Sequence, residues 1–112
     1  MNVGDLFWVE FPAGAGRAQA GRRPAIVAQA TTASASLPAL LLVPLTTQLD
    51  ALRFPGTVLV EPSPANGLRR PSVALVFQLA AVDKRFLGSR LGRVSDAVMA
   101  GIWSALDEVM GR

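Results

Sequence analysis

The segment from Leu37 to Thr47 constrains the fold more than any other in the chain. It is an almost unbroken apolar run containing Pro38 and Pro44, with none of the polar alternation of a half-exposed strand, so it reads as a strand buried on both faces and forms the centre of a sheet. Its unbroken apolar part, Leu37 to Leu45, is less than half as long as the roughly 20 apolar residues that a membrane-spanning helix needs. The rest of the 112 residues must therefore supply strands to either side and something to cover the faces. A chain of this length buries roughly two-thirds of its unfolded surface and fits one domain, residues 1–112.

Aromatic and β-branched residues make Asp5 to Phe11 a first strand, ended by Pro12. Pro12 to Gly21 has no period and reads as a loop of about ten residues, long for a hairpin connection. Ala25 to Ala30 is a second strand and Thr31 to Ser36 a small polar turn. After Leu49 to Pro55, a loop, come a strand at Gly56 to Glu61 and a second loop at Pro62 to Pro71 containing Asn66-Gly67. Ser72 to Leu79 is a further strand, Asp83 to Leu87 one helical turn, and Leu91 to Val94 the strand that closes the sheet. Five or six short strands in succession point to a barrel or strongly curled sheet. From Ser95 the period becomes helical, with a stripe of Val98, Ile102, Leu106 and Val109 widened by Met99, Trp103 and Met110. Ser95 is the expected N-cap and Asp96 suits the first turn. Trp103 is expected in the core or at a dimer contact.

The chemistry available is restricted. The chain has no cysteine and no histidine, which removes thiolate nucleophiles, imidazole bases and the usual zinc and haem ligands, so no metal or other cofactor is expected. No signal peptide is visible, and the cytosol is the expected compartment. Residues 1–94 carry ten basic and five acidic side chains, and residues 95–112 one basic and three acidic. A basic body of this kind fits a polyanion or an acidic peptide as partner.

The positive charge has one focus, Gln19 to Val27 (QAGRRPAIV). Pro24 fixes its own φ and biases Arg23 toward an extended conformation, so the Arg23 guanidinium is aimed at the mouth of the second strand. Together with GDLFWVEF at Gly4 to Phe11 and VPLTTQ at Val43 to Gln48, this segment resembles the MazF/PemK (Kid) toxins of type II toxin–antitoxin systems. The later stretches LRFPGTV, PSVALVFQL and AVDKRFLGSRLGRVSDAV resemble the same family in the same order. The resemblance implies a mainly β domain with a C-terminal helix, an SH3-like small β-barrel, assembled as a homodimer. It also implies metal-independent, sequence-specific cleavage of single-stranded RNA, with inhibition of translation and growth, and neutralisation by an acidic antitoxin. It assigns catalysis to Arg23 and Thr47, and places Gln78 near the RNA groove. Relatives have acidic residues where this chain has Ala18 and Phe77. Those departures keep open a degenerate member that binds RNA or antitoxin without cutting; a second alternative is a same-fold toxin that poisons DNA gyrase, as the related CcdB toxins do.

The residue types suit the implied chemistry. RNA supplies its own nucleophile, the 2′-hydroxyl, so a ribonuclease must position it, take its proton and stabilise charge on the phosphorane. The Arg23 guanidinium suits the last task, at about 3 kcal/mol of transition-state stabilisation. It is a poor proton acceptor, so the general base stays unassigned. Thr47 offers a hydroxyl donor at a strand end, and Thr46, by alternation, points to the opposite face. Arg17, Arg22, Arg53, Arg69 and Arg70 in loops suit a phosphate backbone. Gln19 and Gln78 suit base edges, and Gln48 ends the threonine motif, so the candidate substrate contacts are Gln19, Arg22, Gln48, Arg53 and Gln78. Phe77 and Trp8, in strand runs, are expected in the core.

Overall fold

The structure is a computed structural model that describes residues 1–12 and 21–112. The apolar central segment is β3 (Ala39–Thr46), and it pairs with three other strands. One edge is taken by β2 (Gly21–Val27), with Ala25 opposite Pro44 and Val27 opposite Leu42. Two strands later in the chain follow one another along it: β5 (Ser72–Leu75) meets Leu45 and Thr46, and β6 (Ala80–Asp83) meets Ala39 to Leu42. With β1 (Asp5–Phe11), β4 (Thr57–Val60) and β7 (Leu87–Arg93) the path runs β4-β5-β3-β2-β1-β7, all antiparallel.

Period-two alternation splits the buried side chains between two sides of this curled sheet. Leu6, Ile26, Val43 and Leu45 face the C-terminal helix α2 (Asp96–Met110), packing with its Met99, Ile102 and Ala105. Val9, Ala25, Val27, Leu40 and Leu42 face the other way, with Val82 and, at the margin, Phe86 and Leu87. The helix begins at the expected cap: Ser95 Oγ accepts from Val98 N at 3.1 Å and Asp96 sits in the first turn. Gly111, in the left-handed region at φ 76°, ends it. The covered stripe is narrower than expected, because Trp103 is 40% exposed and Met110 66% exposed. Trp103 is therefore not a core residue.

Three local departures have tertiary causes. Residues Thr31–Ser36 form a short helix, α1, where the sequence reads as a turn. Buried Gln29 holds it, donating to Ser34 Oγ and to the Ala39 carbonyl while accepting from Leu41 N. The strand expected through Leu79 stops at Leu75, and Val76–Gln78 forms a 3₁₀ turn before β6. Val76 N still meets the Gly56 carbonyl at 2.9 Å, in register with the β4–β5 ladder, but the Gly56 N–H goes to Glu108 Oε1 and the Val76 carbonyl accepts from Leu79 N, so the ladder ends there. Finally, the sheet is not closed: β7 pairs with β1 and ends the path, and β4 ends it on the other side. The gap is bridged by the 61–71 loop, where Arg93 N donates to the Ala65 carbonyl at 2.9 Å.

That docking depends on two glycines. A Cβ built on Gly67 would lie 2.4 Å from the Leu91 carbonyl oxygen, and one on Gly92 would lie 2.2 Å from that of Ala65. Gly67 also has φ +72°, so Gly67→Ala combines a backbone clash with a strained dihedral. The expected loss is about 2 kcal/mol of folding stability, read from urea denaturation with an unchanged m-value.

Candidate functional site

Arg23 lies where β2 emerges from the sheet. Its backbone pairs with Val9 of β1, and its side chain is half-buried, with Nη1 donating to the Leu45 carbonyl over a long 3.4 Å. Nε is buried and has no hydrogen-bond partner among the described residues. Desolvation by burial lowers the Arg23 pKa from its usual value, although an arginine starts so high that it stays protonated in the neutral range. A guanidinium that has lost part of its water, with no carboxylate paired to it among the described residues, is costly in the free protein. An arriving anion would remove that cost.

Strand parity decides which threonine accompanies it. Ala25 lies opposite Pro44, so two residues further along each strand Arg23 and Thr46 share one side of the sheet, while Thr47 belongs to the other. Thr46 Oγ1 accepts from Gln48 N at 3.2 Å. It lines a small cavity of about 130 Å³ together with Gln48, Asp50, Arg53, Phe54, Phe77 and Gln78. Three of the expected substrate contacts, Gln48, Arg53 and Gln78, thus gather beside Thr46. Arg53 is held there by Asp50, at 3.0 Å, and lies 4.6 Å from the centroid of the Phe54 ring. The Oε1 of Gln78 is buried with no partner among the described residues, the second polar atom so placed after Arg23 Nε.

Thr47 instead lines a cleft of about 440 Å³ with Trp8, Pro24, Leu68, Arg69, Arg70 and Ser72. Arg22 is on this side too, exposed, its guanidinium 4.4 Å from the centroid of the Trp8 ring. Gln19, with Arg17 and Ala18, lies outside the described residues.

The two aromatics expected in the core are at the surface. Phe77, 40% exposed, is turned out by the 3₁₀ segment and meets Phe54 edge to face at 5.8 Å between centroids. Trp8 is half-buried and stands between two clefts. Thr46 and Phe54 are the residues that the sequence reading passed over. The parity signal was available only through the β2–β3 register, and Phe54 carried no signal beyond its place in a loop next to Arg53.

Residues 2–110 match the model of a single family, described as PemK-like, MazF-like toxin of type II toxin–antitoxin system. The chain belongs to this toxin family. The endoribonuclease MazF of Staphylococcus saprophyticus is 28% identical over 111 residues, which cover 99% of this chain and 92% of the relative. Among solved structures, MazF from Deinococcus radiodurans superposes with a TM-score of 0.83 at 26% identity, covering 100% of this toxin chain and 97% of its own. A mycobacterial endoribonuclease in complex with its cognate antitoxin gives a TM-score of 0.76 at 22% identity, over 99% of this chain and 95% of that one, and shows the same fold. No helix among the described residues is long and apolar enough to cross a membrane.

The desolvated arginine yields a stability test. Arg23→Met keeps the apolar stem and removes the buried charge, so thermal unfolding of the variant should occur at the wild-type temperature or up to about 4 °C above it. A large fall in melting temperature would mean that the guanidinium is needed by the fold.

Proposed function

We propose that this toxin is a metal-independent, sequence-specific endoribonuclease of the cytosol, cutting single-stranded RNA and so stopping translation and growth. The observation that carries the reading is Arg23: the arginine of the GRRP motif, half-buried, with one donor unpartnered among the described residues and with a threonine hydroxyl on its side of the sheet. The name of the staphylococcal relative, an endoribonuclease, supports it.

In this reading the 2′-oxygen attacks the adjacent phosphorus and the 5′-oxygen of the next nucleotide leaves. The products are a 2′,3′-cyclic phosphate and a free 5′-hydroxyl. Arg23 neutralises charge on the non-bridging oxygens as the phosphorane forms. The hydroxyl donor beside it is Thr46, and Thr47, the motif threonine first assigned the role, contacts RNA from the neighbouring cleft. Gln48, Arg53 and Gln78 hold the strand next to the cut, and the unpartnered Oε1 of Gln78 is available to a base donor. Arg22 and Gln19 extend the contact toward the preceding loop.

The toxin works as a homodimer restrained by an acidic antitoxin. Phe54, Phe77 and Val109 line an apolar cleft of about 660 Å³ beside exposed Met110, which supports burial against a second copy. The mycobacterial relative, solved with its cognate antitoxin, supports the second partner. Charge complementarity with the arginines makes that complex weaken as salt rises.

Purified toxin incubated with long single-stranded RNA in excess EDTA should cut it. Arg23→Ala should lower the rate by about 100-fold or more. Thr46→Val should lower it by at least about 10-fold and Thr47→Val by less, measured as single-turnover rates on one substrate. RNA left intact by the wild type would overturn the reading in favour of a non-cutting RNA-binding protein or a gyrase poison. Sequencing of the 5′ ends would give the base preference.

A further inference from the structure

Four arginines other than Arg23 and Arg53 lie around one indole, Arg22 among them. Trp8 of β1 lies opposite Pro24 of β2 and, by parity, on the side of the sheet away from Arg23. It lines the cleft of about 440 Å³ that also holds Thr47, Arg69 and Arg70. It lines a second cleft as well, about 350 Å³, with Arg22, Arg85 and Phe86. The Trp8 side chain is the wall that the two clefts share. Arg22 lies over the indole at 4.4 Å and Arg85 over Phe86 at 4.9 Å.

The charge around this wall is one-sided. Arg69 and Arg70 are exposed and their side chains make no ion pair or hydrogen bond among the described residues. Among the described residues Glu10 is the only acidic residue lining either cleft, and the Asp83 carboxylate beside Arg85 accepts from its backbone N at 2.9 Å. By contrast Arg53 is paired with Asp50, and Arg90 with buried Asp5 at 3.1 Å. Unpaired guanidinium groups interleaved with aromatic rings are the arrangement that binds a single strand with little regard to sequence, the rings taking base faces and the arginines taking phosphates.

We propose that Trp8 is the stacking platform of a second contact with single-stranded RNA, which crosses the indole from the Arg69–Arg70 cleft to the Arg22–Arg85 cleft. The inference rests on the endoribonuclease reading for its ligand, but it concerns the strand flanking the cut and not the cut itself. The docked 61–71 loop supports it, because the wall carrying Leu68, Arg69 and Arg70 is fixed against β7 in the free protein.

The chain has two tryptophans, so Trp103→Phe leaves Trp8 as the only indole reporter. The probe is a mixed-sequence 2′-O-methyl oligonucleotide, which lacks the nucleophile and is not cut. Binding should quench Trp8 emission. Arg69→Ala combined with Arg70→Ala, both exposed positions, should weaken binding at least 10-fold at low salt. The same pair should reduce the slope of log affinity against log salt by about 1.4, the single-strand value for two phosphate contacts. If Trp103→Phe cuts natural RNA but its emission and salt slope ignore the oligonucleotide and the two substitutions, this contact does not exist while the endoribonuclease reading stands. If emission is quenched and no RNA is cut, the contact stands and the cleavage reading falls. Quenching by poly-glutamate and not by the oligonucleotide would assign the clefts to an acidic peptide and overturn the proposal.

Discussion

The buried side-chain amide of Asn66 organises more of this molecule than its place in a surface loop would indicate. Its Nδ2 donates to the Glu61 carbonyl at 2.9 Å, and its Oδ1 accepts from Ser63 N and Leu68 N at 3.1 and 2.9 Å. Asn66 N in turn donates to Ser63 Oγ at 3.1 Å. A loop wound this way presents Ala65 to Gly67 as a flat backbone surface, which packs on Leu91 and Gly92 of β7. The loop thus does the work of the missing ladder between β4 and β7. It also ends in Leu68, Arg69 and Arg70, so the interaction that holds the curl together stations charge beside Thr47. Leaving such an amide unsatisfied would cost about 1–3 kcal/mol.

Desolvation explains the division of labour among the arginines. Arg90 and Arg53 are satisfied by carboxylates and serve the fold or the rim of a cavity. Arg23 has lost part of its water without gaining a counter-ion among the described residues, a condition that folding alone does not reward. Arg22, Arg69 and Arg70 keep their water and stay available to an anion at little cost. One residue type therefore provides a strong, fixed site for charge and a looser track around it.

Much of this was legible in the sequence where the signal was local. The first strand, the Ser95 cap, the change to helical period and the central position of β3 each follow from residues within a few positions of one another. What was not legible depends on partners distant in the chain. The helix at Thr31–Ser36 exists because Gln29 ties it to β3, and the break after Leu75 exists because the Gly56 N–H goes to Glu108 of the distant helix. The same holds in the site. Arg23 could be picked out from Pro24 beside it and from the family motif, but the choice between Thr46 and Thr47 turns on which residue of β3 faces Ala25. Phe77 and Trp8 have the composition of core residues, and their exposure reflects a turn in one case and a position between two clefts in the other.

Gly56 also bears on how such a chain can change. Its N–H donates to Glu108 Oε1 at 3.1 Å near the end of α2, its carbonyl receives the amides of Val76 and Phe77, and a Cβ there would sit 2.3 Å from Val109 Cγ2. The final helical turn and the turn bearing Gln78 are thus registered against a single residue with no room for a Cβ. A side chain at position 56 would therefore disturb both elements at once, displacing Val109 of the helix on one side and crowding Phe77 of the turn, 3.3 Å from the added Cβ, on the other.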